Sequence, residues 1–571
     1  MSFLNSLKTS PLKLIFLILV ILFSLGYICL PLLETIAKSL TVESSLSFQG
    51  YVDYFSKPSN ITVLTNTFTV GILCVLTCGI LGTLLAVFMR YFCKRGKTVL
   101  QILLMSPVMI PGIVIVIAFS QMYGESGIIT SIIELIFGLT SPPYKFEGLG
   151  AIVVVITYTQ YVYFFINMTA ALQQIDASTV DAAKSLGAGK LRVFKDAILP
   201  PLAPAICISS MTTFVSAIGS LSAPTLVGGN YRVLVKQIAD SKLNFDMFST
   251  SIEVTILLIF GVAVTAFCSW MSSRMAGGAS ARHVNYEPDF GRNHKVLKTL
   301  FVIFVILQVA MILAQVVIVF WMSFQSGKAI MTQTIPHDFT LDNFVSLFNN
   351  PRDLAPLFNS IEMATMAVII STLIALPVAY FKTKAKDRAS KAIASVSQLS
   401  ITIPWCIPAS VVAVGLIVSF NVPNIFAFGT TLVGKFEILP LAYTIVSLPI
   451  MLNTSRIALG SMPDNSEEAA HSLGAGNFRS FRTVVLPMII AGILSGAILV
   501  FVKMMGEYTM SSLLYGVFNR PISVSIITNM QEYNLGLAMA LGATVIIICT
   551  VLLFLILKLD RKKLGLTQDQ T

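Results

Sequence analysis

Twelve apolar runs, each close to or longer than the ~20 residues a helix needs to cross a bilayer, dominate this 571-residue sequence. They fall at about 13–35, 64–91, 99–121, 148–172, 199–223 and 247–272, then at 297–322, 359–382, 393–421, 434–455, 487–514 and 534–559. Backbone polar groups in hydrocarbon have to be satisfied within the segment, so such runs are read as helices. Only 11% of the residues are charged, against about 25% in soluble domains. The expected fold is all-α, a polytopic membrane protein with about 12 transmembrane helices. The first run lacks a small-x-small cleavage site and precedes eleven others, so it is read as a helix and not as a signal peptide.

The net charge of +11 is topological. "RYFCKRGK" (Arg90 to Lys97), "KTKAKDRASK" (Lys382 to Lys391) and the tail "KLDRKK" (Lys558 to Lys563) are short and basic. They occupy alternate loops, where the positive-inside rule places cytoplasmic segments. With Lys8 and Lys13 they put both termini on the cytoplasmic side of a multi-pass cell membrane protein. Lipid is the partner this basicity addresses, not nucleic acid. The eight cysteines sit almost entirely in apolar runs with no CxxC, and no ligand cluster accompanies the four histidines. Neither a disulfide framework nor a metal site is expected.

The chain repeats itself. "AAKSLGAG" (Ala182 to Gly189) returns as "AAHSLGAG" (Ala469 to Gly476), 287 positions later. "YVDYFSKP" (Tyr51 to Pro58) matches "FVSLFNNP" (Phe344 to Pro351), and Pro107 and Pro111 correspond to Pro404 and Pro408. Further pairs are Pro200 with Pro487, Gly219 with Gly506 and Gly229 with Gly516. Each half holds six runs, an even number, so the copies are parallel repeats related by an axis along the membrane normal. The expected organisation is a first half at 1–272, a polar cytoplasmic linker at 273–296 and a second half at 297–571.

Two polar loops carry the strongest signal, "DAAKSLGAGKLRVFKDAILP" (Asp181 to Pro200) and "EAAHSLGAGNFRSFRTVVLP" (Glu468 to Pro487). Asp/Glu-Ala-Ala opens a segment of good helix propensity, preceded by Asp176, Ser178 and Thr179 or by Pro463, Asp464 and Ser466, which suit a helix start. Gly187 and Gly189, like Gly474 and Gly476, are placed to take φ > 0 and end it. A second amphipathic turn carries Arg192, Phe194 and Lys195, or Arg479, Phe481 and Arg482. Pro200 or Pro487 then falls just inside the next membrane helix. A helix this short docks into another protein's groove; the alternative is a helix lying on lipid headgroups.

The pattern E-A-A-x3-G-x9-I-x-L-P resembles the signature loop of binding-protein-dependent ABC importer permeases of the MetI-like type. The second copy matches through Glu468, Ala469, Ala470, Gly474, Leu486 and Pro487, with Val484 at the Ile position; the first has Asp181 for Glu and Ala197 for Ile. Asp181, Ala182, Ala183, Gly187, Gly189, Arg192 and Pro200, with Glu468, Ala469, Ala470, Gly474, Gly476, Arg479 and Pro487, form the two candidate loops. The resemblance implies two six-helix MetI-like repeats, with each loop a coupling helix seated in a cytoplasmic ATPase subunit. It implies two copies of that subunit, which bind ATP and Mg while this chain holds no cofactor, and an extracytoplasmic substrate-binding protein. Two fused halves resemble ferric-iron permeases, and are similar also to 2-aminoethylphosphonate and thiamine permeases.

No ATP site is expected in the chain: "RGKT" (Arg95 to Thr98) ends like a P-loop, but Tyr91 stands where its first glycine is needed. Rival classes are an ion-coupled transporter and an intramembrane enzyme. The first would show ionisable residues deep in the membrane, and Lys503 and Glu507 are the best candidates, spaced i,i+4 and placed to pair. With Gly219 and Gly506 they form the candidate pathway set. For the enzyme, no nucleophile–base–orienter set and no HExxH is present.

Overall fold

A computed structural model describes residues 11–42, 45–93, 95–275, 295–333, 335–384, 388–463 and 465–564. The core of the 273–296 linker, Lys8, Lys94, Asp464 and residues 565–571 lie outside the described residues. Among the described residues the protein is mainly helical, with a two-stranded pairing of Thr41–Val42 with Ser45–Leu46 and an isolated bridge between Gln325 and Phe339. Eleven helices among the described residues are long and apolar enough to cross a membrane, or twelve if one sharply bent pair is a single span.

The bent pair corrects the reading of the third run in each half as one continuous helix. In 393–421 the helices Lys391–Cys406 and Ala409–Phe420 meet at 109°. In 99–121 the helix Lys97–Met105 passes into a 3-10 turn at Ser106–Met109 before Gly112–Tyr123 begins. The residue before a proline is pushed out of the helical region by the ring. Accordingly Ile110, before Pro111, sits at φ −92° and ψ 131°, and Ile407, before Pro408, at φ −111° and ψ 123°. Broken spans of this kind persist only where protein covers the freed backbone.

That cover comes from an unexpected place. The described residues form two compact units, one of 1–46 with 344–571 and the other of 47–343. They are not the sequence halves, because the opening helix of each half belongs to the other half's unit. In the unit 47–343, Lys295–Ser323 packs on Gly112–Tyr123, just past that unit's break. Its Gln308 and Gln315, seven residues apart, are both buried, and Gln315 Nε2 donates to Met122 Sδ at 3.3 Å. The opposite face, with Leu300, Ile303, Leu307 and Val317, is exposed and apolar, as lipid requires. In the other unit, Leu30–Ser39 packs on Ala409–Phe420. The backbones meet closely there, since a Cβ on Gly415 would stand 3.1 Å from Pro31 Cβ.

Within each unit the remaining spans repeat one arrangement. Pro58–Val87 packs against Leu149–Leu172 and Leu199–Gly219, and Pro351–Lys384 against Ile438–Gly460 and Leu486–Met505. The repeat holds down to single bonds. Asn66 Nδ2 donates to the Arg232 carbonyl at 3.0 Å, and Thr67 Oγ1 accepts from Leu234 N at 2.8 Å. In the second half Asn359 Nδ2 donates to the Arg520 carbonyl at 3.1 Å, and Ser360 Oγ accepts from Ile522 N at 2.8 Å. Buried backbone donors need partners, and both halves supply them from the same positions.

Candidate functional site: the two repeated loops

In both copies the small-residue phrase folds as a short helix, a left-handed glycine and a second helix. The first helix is Ala177–Ser185 in one loop and Asn465–Ser472 in the other. Asp176 caps the former, its carboxylate accepting from Ser178 N at 3.1 Å and Ser178 Oγ at 2.8 Å. Gly187 at φ +77° and Gly474 at φ +84° then close the helices. Gly187 N donates to the Lys184 carbonyl at 2.9 Å and Ala188 N to the Ala183 carbonyl at 3.1 Å. Gly474 N to His471 at 2.9 Å and Ala475 N to Ala470 at 3.0 Å repeat the pair. These are the two bonds of a Schellman closure.

Two expectations change here. Gly189 is not left-handed: at φ −67° and ψ 163° it precedes the helix Lys190–Val193, and Gly476 likewise has no positive φ. Each pair of glycines therefore divides the work, the first ending a helix and the second leading into the next. Pro200 and Pro487 do lie just inside the α-helices Leu199–Gly219 and Leu486–Met505, but each of these continues a helical rod that begins earlier, at Lys190 or Phe478. Proline cannot donate the hydrogen bond an α-helix interior needs. Both rods widen into a π-turn just ahead, at Phe194–Ile198 and Phe481–Val485, closed by Leu199 N to the Phe194 carbonyl and Leu486 N to the Phe481 carbonyl.

Around this frame the side chains divide sharply. Asp181, Ala182, Gly187 and Arg192 are exposed, as are Glu468, Ala469, Gly474 and Arg479, whereas Ala183 is half-buried and Ala470 buried. Asp181 pairs with Lys184 at 3.5 Å and Arg192 with Asp196 at 3.5 Å; such exposed pairs contribute little stability. The large apolar side chains are the ones sequence reasoning missed. Leu186 is 88% and Leu191 83% exposed, and their equivalents Leu473 and Phe478 are 90% and 77% exposed. Their signal was a bulky residue at the same two places of both phrases. Paired apolar projections beside basic residues are the features of a surface built to be covered.

The loops also differ. Glu467, directly before Glu468, is buried and accepts a short hydrogen bond from Tyr380 Oη. The ring of Tyr380 lies edge-on to Phe481, with centroids 5.2 Å apart. Val180 is buried at the position equivalent to Glu467, and Val87 takes the place of Tyr380.

The pathway candidates separate. Gly219 ends its helix and Gly506 follows Met505, both short of the run ends expected at 223 and 514. Lys503 is exposed and does not pair with Glu507. The Glu507 carboxylate instead accepts from Met510 N at 2.9 Å and Ser511 N at 3.0 Å, starting the helix Thr509–Leu514. Backbone donors at a helix start are a better partner for a half-buried carboxylate than a lysine facing outward. In "RGKT", Gly96, at φ +69°, precedes the helix Lys97–Met105, and a helical segment ends ahead of it at Phe92.

Repeated membrane-spanning bundles carrying repeated polar loops define a transport-type integral membrane protein. Sequence comparison gives its family. Residues 79–277 and 371–564 both match the binding-protein-dependent transport system inner membrane component, and the chain belongs to that family. Among similar proteins, a probable ABC transporter permease protein of Sinorhizobium fredii is 26% identical over 96% of both chains. A ferric transport system permease protein of Actinobacillus pleuropneumoniae is 23% identical over 88% of this chain and 70% of its own. A molybdate/tungstate transport system permease protein of Thermococcus kodakarensis is 26% identical over 34% of this chain and 74% of its own. The protein is a multi-pass permease subunit of an ABC importer, a transport component.

Proposed function

We propose that this chain forms the membrane gate of an ATP-driven importer, and that its two loops are the handles by which two copies of a cytoplasmic ATPase subunit work it. ATP and Mg bind in those subunits. Both termini face the cytoplasm, and substrate arrives from an extracytoplasmic binding protein. The supporting observation is the matched pair of apolar projections, Leu186 with Leu191 and Leu473 with Phe478, on loops of identical backbone closure. A cleft in each ATPase that accepts two apolar knobs desolvates them on docking. Asp181 and Glu468 are then set to meet a basic group of the subunit, Gly187 and Gly474 hold the turn, and the rods past Pro200 and Pro487 carry the stroke into the membrane. Gly219, Lys503, Gly506 and Glu507 remain our pathway candidates, with Glu507 acting through the short helix it starts. Ferric iron is the proposed substrate, supported by the ferric transport permeases among the relatives that cover most of the chain.

The test is co-purification. Leu473→Asp with Phe478→Asp, and the matching Leu186→Asp with Leu191→Asp, are expected to cut recovery of the ATPase subunit at least tenfold while membrane insertion is unchanged. Glu468→Lys and Gly474→Pro are expected to weaken association or to uncouple hydrolysis from uptake. Undiminished recovery with all four aspartates in place would transfer the knobs to the lipid surface. Substrate transport by the purified chain without any ATPase would refute the reading outright. Uptake of radioactive ferric iron, with phosphonate, thiamine and molybdate as parallel arms, decides the substrate.

A further inference from the structure

The two loops share a backbone but are not attached to their bundles in the same way. In the unit 344–571, Tyr380 stands near the end of the helix Pro351–Lys384, which packs along Ile438–Gly460 and Leu486–Met505. Its hydroxyl donates to Glu467, in the helix before the Gly474 turn, and its ring meets Phe481, in the rod after that turn. One side chain thus grips both arms of the loop. On its own helix His471 Nε2 lies 3.9 Å from the Glu467 carboxylate. In the unit 47–343 the corresponding residues are Val87, the buried Val180 and Phe194, which is 47% exposed. That loop has valines at the two positions where the other has a directional bond.

The difference matters mechanically. Apolar packing is non-directional, so a loop with valine at both positions can slide or tilt a little without losing a specific partner. A buried carboxylate held by a phenol is less free to do so, because moving the two apart breaks a directional hydrogen bond. We propose that Tyr380 and Glu467 are positioning residues that latch the second loop rigidly to the helix Pro351–Lys384, so that the stroke enters the membrane mainly through the second half. The first loop then follows compliantly. This rests on the docking reading above, and the experiment separates the two.

The assembly to use is the full chain co-purified with its ATPase subunits and reconstituted with binding protein, reading ATP hydrolysed per substrate imported. Tyr380→Phe keeps the ring and removes the hydroxyl. We expect unchanged subunit recovery and a three- to tenfold rise in ATP used per substrate. Glu467→Gln, which still accepts the hydrogen bond, stays within about twofold of wild type. The decisive variant is the pair Tyr380→Val with Glu467→Val, copying the first half's solution. If the latch only filled space, this pair would restore wild-type coupling; the proposal requires it to remain uncoupled while folding and binding the ATPase. Wild-type coupling in Tyr380→Phe, or in the valine pair, overturns the latch. Loss of ATPase recovery from the wild-type chain would instead overturn the docking reading.

Discussion

At the scale of single residues, glycine carries the clearest consequence. An added Cβ at Gly187 or Gly474 would meet nothing within 4 Å, so space does not demand glycine there. The positive φ does, costing an L-residue about 1–2 kcal/mol. Gly474→Ala is therefore expected to loosen the loop by that amount and to raise hydrogen exchange at Gly474 and Ala475 severalfold. Gly476→Ala, at a position without positive φ, is expected to leave exchange unchanged. The repeat marked both glycines of each phrase as special, but a one-letter pattern does not say which of two neighbours is left-handed. That is set by where the last helical carbonyls find donors, and the bonds to Ala183 and Ala470 place it at the first glycine. The Tyr380–Glu467 bond was invisible for a related reason. The partners are 87 positions apart, and nothing local to either names the other.

Among the elements, the long runs declared themselves and the breaks within them did not. Length and apolarity tell that 393–421 enters the membrane; they do not tell that it turns by 109°. The prolines are legible, but a proline in an apolar helix is compatible with a kink, a break or a π-turn. Two of these adjustments are near at hand here: Pro408 follows a break, while Pro200 and Pro487 follow π-turns. Pro408→Ala frees Ile407 to become helical, and partial straightening is expected. Spin labels on the exposed Leu399 and the exposed Asn421 should then move apart by several ångströms. An unchanged distance would mean that the packing of Leu30–Ser39, and not the proline, holds the bend.

For the whole molecule, the exchange of opening helices between units is the feature with the largest consequence. Each half, cut out as 1–272 or 297–571, would lack the helix that covers its broken third span. Coexpression of the two pieces is expected to yield a folded pair and either alone an aggregation-prone product, read by size-exclusion chromatography in detergent. Gly415→Leu tests one of these contacts directly. The new side chain is driven against Pro31, and overpacking of this kind costs about 1–3 kcal/mol, so the thermal midpoint is expected to fall.

Hydropathy, the count of runs and the recurrence of one phrase specify a helical membrane protein in two copies with two privileged loops. These properties are local or periodic, and each can be evaluated along the chain without knowing where any segment ends up. Which unit an opening helix joins, where an apolar run bends and which carboxylate finds a phenol are matters of position in space. Lipid is nearly as apolar as any helix face, so hydrophobicity alone ranks no one neighbour above another. The choice falls to buried polar groups such as Gln315, to close approaches such as Gly415 on Pro31, and to freed backbone at the breaks, and those operate only once the helices are side by side.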